Sequence, residues 1–230
     1  MVAIVENINT VLSRIAEASR RSGRRPEEIK LVAISKTVGT EQMLEAIGAG
    51  IRALGENRVQ EARSKWPIIA HQMTSRGCEF HLVGHLQRNK AKEAVRLFDL
   101  IHSLDSERLA LEINKRAGEI SKIQRVLIEV NTSGEASKFG IQPEEAENLI
   151  NFVETCPNLK LEGLMTVGPL YGGSVGARQS FQTLRKLRDN CGGEERLPDL
   201  SMGMTQDFEE AIEEGATMIR VGTAIFGARR

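Results

Sequence analysis

A lysine stands directly after a short apolar run near the start of the chain. Lys36 follows Leu31–Ile34, whose length and β-branched residues predict a buried strand. Partial burial disfavours the charged form of a lysine, and the neutral amine is the form that makes a Schiff base with a carbonyl. The alternative is an amine that reaches solvent along its alkyl stem, as a lone lysine at a strand end usually does. Lys36 is therefore a candidate nucleophile whose role depends on the residues around it.

Two glycine-containing segments late in the chain have the composition of a phosphate site. Ser201–Thr205 passes from a strand into a helix, so its backbone N–H groups and hydroxyls could face an anion. Val221–Thr223 leaves the last predicted strand, where Gly222 would let the backbone approach a ligand closely. Either segment alone is also typical of an ordinary turn. Together they predict a phosphate cradle in the two loops that commonly form one in a parallel barrel.

An arginine and two histidines complete the set of candidate site residues. Arg220 lies on the same strand face as Gly222, so it would point from the phosphate loop toward the barrel centre, although a surface ion pair is the simpler role for a lone arginine. His81 and His85 are four residues apart, which raises the question of a metal. Because Gly84 intervenes and a third ligand is missing, we expect no metal and assign His81 to the lining of the site.

The elements that must position these residues alternate along the whole chain. An apolar stripe at helical spacing predicts an opening helix; its members are Ile4, Ile8, Val11, Leu12 and Ile15. Eight strands are then predicted: Leu31–Ile34, Arg52–Leu54, Phe80–Val83, Leu100–Ser103, Val126–Val130, Leu161–Met165, Leu200–Met202 and Met218–Val221. Helical patterns separate them, among them Thr40–Ile47, Glu107–Ala117, Glu144–Val153, Ala177–Asp189 and Gln206–Glu213. The glycines Gly172, Gly173 and Gly176 predict a flexible loop after the sixth strand.

Strict alternation of strands and helices predicts parallel strands, and eight units within 230 residues favour a closed barrel over an open sheet. The expected fold class is α/β, a single (β/α)8 barrel domain over residues 1–230 with an extra N-terminal helix. The functional face of such a barrel is at the carboxyl ends of its strands. The unusual residues of this sequence collect there: Lys36, Glu56, Asn57, His81, His85, Asp105, Glu129, Asn131, Thr166, Ser201, Met204, Arg220, Gly222 and Thr223.

Composition excludes several classes of function. The 31 basic and 31 acidic residues balance, so no global field attracts nucleic acid or an anionic membrane. No stretch approaches the roughly 18 apolar residues that a bilayer span needs. The three cysteines are widely spaced and form no paired motif, which favours a reducing, cytoplasmic environment.

Seven segments in order along the chain carry a family resemblance. They are Val32–Thr37, Gly55–Glu61, Phe80–Lys90, Val130–Gly140, Gly163–Thr166, Ser201–Thr205 and Ile219–Gly227, and with them the sequence resembles the pyridoxal phosphate homeostasis proteins. The resemblance implies a barrel like the N-terminal domain of alanine racemase and a role in intracellular buffering or delivery of pyridoxal 5′-phosphate (PLP), with effects on the balance of amino acids and keto acids. It implies that the protein has no catalytic turnover. It also implies that PLP-dependent apoenzymes are partners.

The same resemblance assigns roles to individual residues. Lys36 would carry PLP as a Schiff base, and Lys138, in a Gly-Glu-x-x-Lys-x-Gly motif, would make a secondary contact to the cofactor. An arginine beside the pyridine nitrogen would leave that nitrogen unprotonated and the ring a poor electron sink, because a guanidinium does not readily give up a proton. The remaining expected contacts are Asn57 and His81 in the pocket, Ser201, Gly203, Gly222 and Thr223 at the phosphate, and Arg220 at the pyridine nitrogen.

Two enzymatic alternatives remain open. The first is a PLP-dependent amino-acid racemase, which needs a second acid/base opposite the lysine, usually a tyrosine from a second domain of a dimer. Because the chain ends at Arg230 and its one tyrosine, Tyr171, lies in the glycine-rich segment, we expect no efficient racemisation and a monomer. The second is a cofactor-free aldolase, which usually carries its lysine later in the barrel than Lys36.

Overall fold

The computed structural model describes residues 2–227 and is built around a closed barrel of eight parallel strands. Each strand pairs with the next along the chain, and the last pairs with the first, with Leu31 opposite Ile219 and Ala33 opposite Val221. The strands are β1 (Lys30–Ile34), β2 (Ala53–Glu56), β3 (Glu79–Leu82), β4 (Leu100–Leu104), β5 (Gln124–Glu129), β6 (Leu159–Met165), β7 (Asp199–Met204) and β8 (Met218–Val221).

Helices follow the strands and surround the barrel. They are α1 (Val2–Arg21), α2 (Thr40–Gly48), α3 (Val59–Ser75), α4 (Ala91–Leu97), α5 (Glu107–Gly118), α6 (Ala146–Glu154), α7 (Gly173–Asn190), α8 (Gly193–Arg196), α9 (Phe208–Glu213) and α10 (Thr223–Phe226). The fold class predicted from the sequence, a (β/α)8 barrel with an additional N-terminal helix, is confirmed.

The opening helix α1 packs against the barrel's last helices. Four members of the predicted stripe are buried, namely Ile4, Ile8, Val11 and Ile15, whereas Leu12 is exposed. The helix contacts both α9 and α10. The Asn7 amide also donates to the carbonyl of Ile225 across 2.9 Å. The stripe therefore anchors the amino-terminal helix beside the final loop of the barrel.

The glycine-rich segment differs from the sequence expectation. Gly173 and Gly176 lie in the first turn of α7, and the Gly176 N–H donates to the Gly172 carbonyl. Gly172 precedes the helix with a φ of 106°, a left-handed conformation that glycine adopts without a steric penalty. The irregular part of the segment therefore ends at residue 172, and the helix starts four residues before the expected Ala177.

Apolar side chains form one large core between the strands and helices and two small clusters. The small clusters are Leu100, Leu127, Met165 and Met218 in one, and Val32, Ile34 and Ala53 in the other. Because strand residues alternate between the two faces, these clusters occupy the barrel interior while Ala33, Leu54 and Ile101 face the helices. None of the helices described within residues 2–227 combines the length and apolarity needed to cross a membrane.

Candidate functional site

A cavity of about 810 Å³ opens at the carboxyl ends of the strands. Its size falls within the usual range for small-molecule sites. The lining comes from the loops that follow β1, β6, β7 and β8, together with the end of β8 and the first residues of α2 and α10. The lining residues used below are Lys36, Thr37, Gln42, Gly168, Pro169, Leu170, Thr205, Asp207, Arg220, Gly222 and Thr223.

Lys36 is half-buried in a turn that is fastened on both sides. The next residue, Thr37, has a φ of 64°, an uncommon conformation for a residue with a side chain. The Thr37 N–H donates to Glu61 across 2.5 Å, and the Lys65 ammonium donates to the Ser35 carbonyl across 2.8 Å. These two contacts hold the backbone on either side of Lys36 and so fix where its side chain enters the cavity.

The fastening depends on a buried ion pair beneath the turn. Lys65 lies 2.8 Å from Glu56 and 2.6 Å from Glu61, and the Ser35 hydroxyl donates to Glu56 across 2.7 Å. Burial raises the pKa of Glu56 in spite of these donors. Burial also opposes ionisation of Glu61, but hydrogen bonds from Lys65 and the Thr37 N–H lower its pKa overall. Glu56 is thus a supporting residue of β2 rather than a cavity residue.

Two threonine hydroxyls that line the cavity are hydrogen-bonded to each other. Thr223 Oγ1 donates to Thr205 Oγ1 over 3.2 Å, which joins the loop after β7 to the start of α10. The loop after β7 is itself closed by Asp207, which accepts from the Met204 N–H at 2.6 Å. Burial raises the pKa of Asp207. Gly222 completes this cradle, which offers hydroxyl donors at the position expected for an anion.

Arg220 reaches the cavity from the barrel interior and is held by two hydrogen bonds. Its Nη1 donates to Ser201 Oγ across 2.6 Å and its Nη2 to the Thr166 carbonyl across 2.7 Å. Burial lowers the pKa of Arg220 to about 10, while Glu129 and Asp207 oppose that shift. The guanidinium therefore remains charged at neutral pH. Because it has five N–H donors, it can still donate toward a ligand.

Glu129, the last residue of β5, is a buried carboxyl near this arginine. Within residues 2–227 its Oε2 has no hydrogen-bond partner. Burial raises the pKa of Glu129 to about 7, although the charge of Arg220 acts in the opposite direction. The site therefore contains one carboxyl that changes charge near neutral pH.

The cavity brings together four of the residues expected to bind the cofactor: Lys36, Arg220, Gly222 and Thr223. The other four expected contacts lie outside its lining. Ser201 is buried and bonded to Arg220, and His81 lies inside the barrel. Gly203 has a φ of 90°, and a Cβ there would lie 2.5 Å from the Ala211 methyl, so its glycine serves the packing of β7 on α9.

Asn57 is the fourth residue outside the lining. It is half-buried after β2, where the backbone of the loop after β3 passes close by. A Cβ on Gly84 would overlap the Asn57 carbonyl, so glycine is required there. The close approach explains why Gly84 separates the two histidines of this segment.

Those two histidines, His81 and His85, contact different partners. His81 bonds to Glu79 and His102, whereas His85 pairs with Asp105 at 3.3 Å and stacks on Phe139. Within the described residues no cluster of three or more His, Cys, Asp or Glu side chains could hold a metal.

Lys138 lies outside the cavity but supports one of its walls. Its ammonium donates to the carbonyls of Val167 and Gly168, at 3.4 and 2.5 Å, and lies 3.4 Å from Glu135. Glu135 in turn accepts from the Leu170 N–H at 3.0 Å. The loop after β5 therefore fastens the loop after β6, which lines the cavity.

Sequence reasoning missed several residues that the structure brings to the site. Asp207 and Gln42 line the cavity from positions that resemble ordinary helix starts, so no pattern distinguishes them. His102 carried a usable signal, because it is a polar residue that follows two apolar residues in a predicted strand. A buried polar residue of this kind requires a partner, and that partner is on another strand.

Comparison with known proteins agrees with the barrel fold. Residues 7–230 match the family model of the alanine racemase N-terminal domain, which defines the class of the protein. A pyridoxal phosphate homeostasis protein of Aquifex aeolicus is 44% identical over 227 residues, with 98% of each chain covered. The chain belongs to the family of pyridoxal phosphate homeostasis proteins.

Two solved structures are similar over nearly the whole chain. An unknown protein from Bifidobacterium adolescentis has a TM-score of 0.92 and 40% identity, covering 97% of this chain and 94% of its own. PipY of Synechococcus elongatus PCC7942, solved with PLP bound, has a TM-score of 0.79 and 34% identity, covering 93% of this chain and all of its own.

Proposed function

We propose that this protein binds pyridoxal 5′-phosphate in the cavity and serves as a carrier in the homeostasis of that cofactor. The observation that carries the proposal is that an amine, a pair of hydroxyls and a buried guanidinium line one cavity: Lys36, Thr205 with Thr223, and Arg220. These groups match the aldehyde, the phosphate and the pyridine nitrogen of PLP. The names of the relatives and the PLP bound to PipY support the same ligand.

The Lys36 amine is the proposed covalent anchor. It would hold the aldehyde carbon of PLP through the C=N bond of a Schiff base, with the aldehyde oxygen lost as water. The fastened turn around Lys36 favours this bond because the side chain enters the cavity from a fixed backbone position. Bound in this way, PLP would supply a reactive carbonyl equivalent from which another amine can displace Lys36. A carrier needs this property.

The proposed phosphate contacts are Thr205, Gly222 and Thr223. The two hydroxyls lie 3.2 Å apart, so both could donate to one phosphate oxygen that lies beside the pair. Ser201 and Gly203, which the sequence assigned to the phosphate, are proposed to act indirectly. Ser201 holds Arg220, and Gly203 lets the loop after β7 pack on α9.

Arg220 is proposed to face the pyridine nitrogen. It is charged at neutral pH and gives up its proton with difficulty, so the ring nitrogen would accept a hydrogen bond and stay unprotonated. An unprotonated ring withdraws electrons weakly and promotes bond cleavage at a bound amino acid poorly. This electronic effect favours storage and transfer of the cofactor over catalysis with it.

The composition of the cavity also supports a carrier. Among the described lining residues, Lys36 and Asp207 are the side chains of ordinary proton-transfer type, and no histidine or tyrosine joins them. Tyr171 is 85% exposed beside the cavity mouth. Racemisation needs a second acid/base on the face opposite the lysine. PLP-dependent apoenzymes are the proposed recipients, with effects on amino-acid and keto-acid balance, and the monomer stays a prediction.

Borohydride trapping tests the anchor. The apoprotein is incubated with PLP, reduced, digested and mapped by mass spectrometry, alongside Lys36→Arg and the exposed Lys186→Arg as a matched control. We expect one pyridoxyl-modified peptide containing Lys36 in the wild type and in Lys186→Arg, and none in Lys36→Arg. A modified peptide at Lys138, or equal labelling of several surface lysines, would disprove the assignment.

A further inference from the structure

A row of polar side chains crosses the barrel interior and ends at the proposed cofactor site. Glu79 Oε2 lies 3.1 Å from His81 Nε2, and His81 Nδ1 lies 3.0 Å from His102 Nε2. His102 Nδ1 lies 3.0 Å from Ser201 Oγ, which accepts from Arg220 at 2.6 Å. Glu79 begins β3 at the amino-terminal end of the barrel, whereas Arg220 lies near the end of β8. The row therefore connects the two ends of the barrel.

Both ends of this row fix the direction of its hydrogen bonds. At one end a guanidinium can only donate, so Ser201 Oγ accepts from Arg220 and its own proton is available for His102. At the other end the hydrogen bond from His81, with those from Lys30 and Arg125, holds the pKa of Glu79 well below its usual range. An ionised carboxylate can only accept, so His81 Nε2 carries a proton.

The directions of the two interior hydrogen bonds, His81–His102 and His102–Ser201, are consistent with both ends. Burial lowers the pKa of His81 and, more strongly, that of His102, so both rings are neutral. A neutral imidazole with a proton on Nε2 accepts at Nδ1. His81 Nδ1 accepts from His102 Nε2–H, and His102 Nδ1 accepts from the Ser201 hydroxyl. Every hydrogen bond in the row is therefore donated in the direction of Glu79, and each contains one proton.

The charged groups around the two rings are consistent with this state. Glu79 favours a positive charge on His81, while Lys30 and Arg125 at the same end of the barrel disfavour one. For His102, the neighbouring His81, Arg220, Lys30 and Arg125 all disfavour a positive charge. Both rings are fully buried, so no water competes for their nitrogens.

We propose that His81 and His102, each as the neutral tautomer protonated at Nε2, are positioning residues that hold the Arg220 guanidinium in place through Ser201. The row gives the Ser201 oxygen a fixed orientation, and the negative charge of Glu79 polarises each bond toward it. That the held guanidinium faces a pyridine ring rests on the proposed function. The tautomers and the direction of the bonds are properties of the protein alone.

Nitrogen NMR of the 15N-histidine-labelled apoprotein tests the tautomers directly. The chain has four histidines, and His71→Gln and His85→Gln, both at exposed positions, remove the other two sets of signals without touching the barrel interior. We expect the remaining two rings to show a protonated Nε2 and an unprotonated Nδ1 at pH 7. A proton on Nδ1 of either ring, or two charged rings, would overturn the proposal.

A double-mutant cycle on the PLP dissociation constant tests the coupling to Arg220. Ser201→Ala removes the bonds to Arg220 and His102, and His102→Leu removes the bonds to His81 and Ser201. Each should weaken PLP binding by roughly 10-fold. Because either change already interrupts the row, the double variant should bind no more weakly than Ser201→Ala alone. The control is Leu127→Ala in the neighbouring apolar cluster, whose effect should multiply with that of Ser201→Ala.

The two tests separate failure of this inference from failure of the proposed function. If the wild type binds no PLP, the proposed function is wrong, and the NMR experiment still decides whether the row exists. If PLP binds on Lys36 but the losses of Ser201→Ala and His102→Leu multiply, the proposed function stands and the positioning role is refuted. An unchanged affinity in His102→Leu would refute that role as well.

Discussion

At the scale of single residues, the site is defined by charged groups kept away from water. Within residues 2–227, Arg220 has no carboxylate in direct contact and is held by a hydroxyl and a carbonyl. Glu129 remains nearby with one oxygen unpartnered among the described residues. Removing a charge from water is costly, so the arginine keeps its charge and the carboxyl gives up part of its own. Burial therefore leaves Arg220 charged at neutral pH and makes Glu129 partly neutral there.

The raised pKa of Glu129 predicts a pH-dependent stability. An unfolded chain releases this proton near pH 4.5, whereas the folded protein retains it until about pH 7. The contribution of Glu129 to folding therefore becomes less favourable as the pH rises between these values, by on the order of 3 kcal/mol. Urea denaturation of the wild type and Glu129→Gln should give similar free energies at pH 5 and a more stable variant at pH 8. A difference that does not change with pH would contradict the assignment.

The threonine pair predicts a specific effect on cofactor affinity. Thr223→Val keeps the shape of the side chain and removes its hydroxyl, which should weaken PLP binding by about 10- to 100-fold, because hydrogen bonds to charged groups contribute about 1.5–3 kcal/mol. Thr223→Ser keeps the hydroxyl and should bind almost as the wild type does. Fluorescence titration with PLP measures both. Tight binding by Thr223→Val would remove Thr223 from the phosphate site.

At this scale the sequence predicted four residues that line the cavity. Lys36, Arg220, Gly222 and Thr223 were predicted because residues at strand ends share one face of a barrel. The assignment of Ser201 to the phosphate stays a prediction, and in the structure its hydroxyl lies between Arg220 and His102. Which way a hydroxyl turns depends on neighbours from distant strands, and a single sequence does not specify them.

At the scale of elements, the turn after β1 depends on helix α3. Glu61 and Lys65 are one helical turn apart on α3, so their side chains point at the same spot beside the barrel. There they meet Glu56 of β2, the Ser35 carbonyl and the Thr37 N–H. A residue with a positive φ persists only where its surroundings hold it. The position of Lys36 is thus set by an element that does not line the cavity.

The buried ion pair gives a prediction for stability. Lys65→Met should destabilise the fold by about 3–5 kcal/mol, because it leaves the carboxyl of Glu56 buried without its cation. Adding Glu56→Gln removes that charge and should restore much of the loss. Chemical denaturation of the two variants and the wild type measures the difference. If the single variant is as stable as the double variant, the ion pair does not support the turn.

Element boundaries were less predictable than element types. All eight strands were found, but β2 runs from Ala53 to Glu56, where Arg52–Leu54 was expected, and α7 includes two of the three glycines assigned to a loop. Glycine weakens a helix by about 1 kcal/mol, which packing readily offsets. The buried Ala177, Phe181 and Leu184 supply that packing. The spacing of these residues predicts the helix itself, but not the glycine-containing turn at its start.

At the scale of the whole molecule, repeated alternation made the fold predictable. Eight parallel strands in sequence order admit few arrangements, and closure removes both sheet edges. The barrel places the Lys36 loop, the threonine pair and the end of β8 around one opening, although they are distant in the sequence. The interior row of hydrogen bonds was not predictable, because it depends on four strands at once.

The same architecture predicts weak catalysis. With L-alanine and PLP, D-alanine formation should remain far below the rate of about 1 per second that is ordinary for an enzyme. The reason is that no tyrosine or histidine is among the described residues lining the cavity opposite Lys36. A coupled assay for D-alanine, with a known alanine racemase as positive control, measures this. Turnover at an enzymatic rate would favour the racemase over the carrier.

A crystal structure of the protein with PLP tests the central claim most directly. We expect continuous density from Lys36 Nζ to the ligand, the phosphate within hydrogen-bond distance of Thr205 and Thr223, and Arg220 within hydrogen-bond distance of the pyridine nitrogen. Density joined to another lysine, or a phosphate held away from the threonine pair, would contradict it.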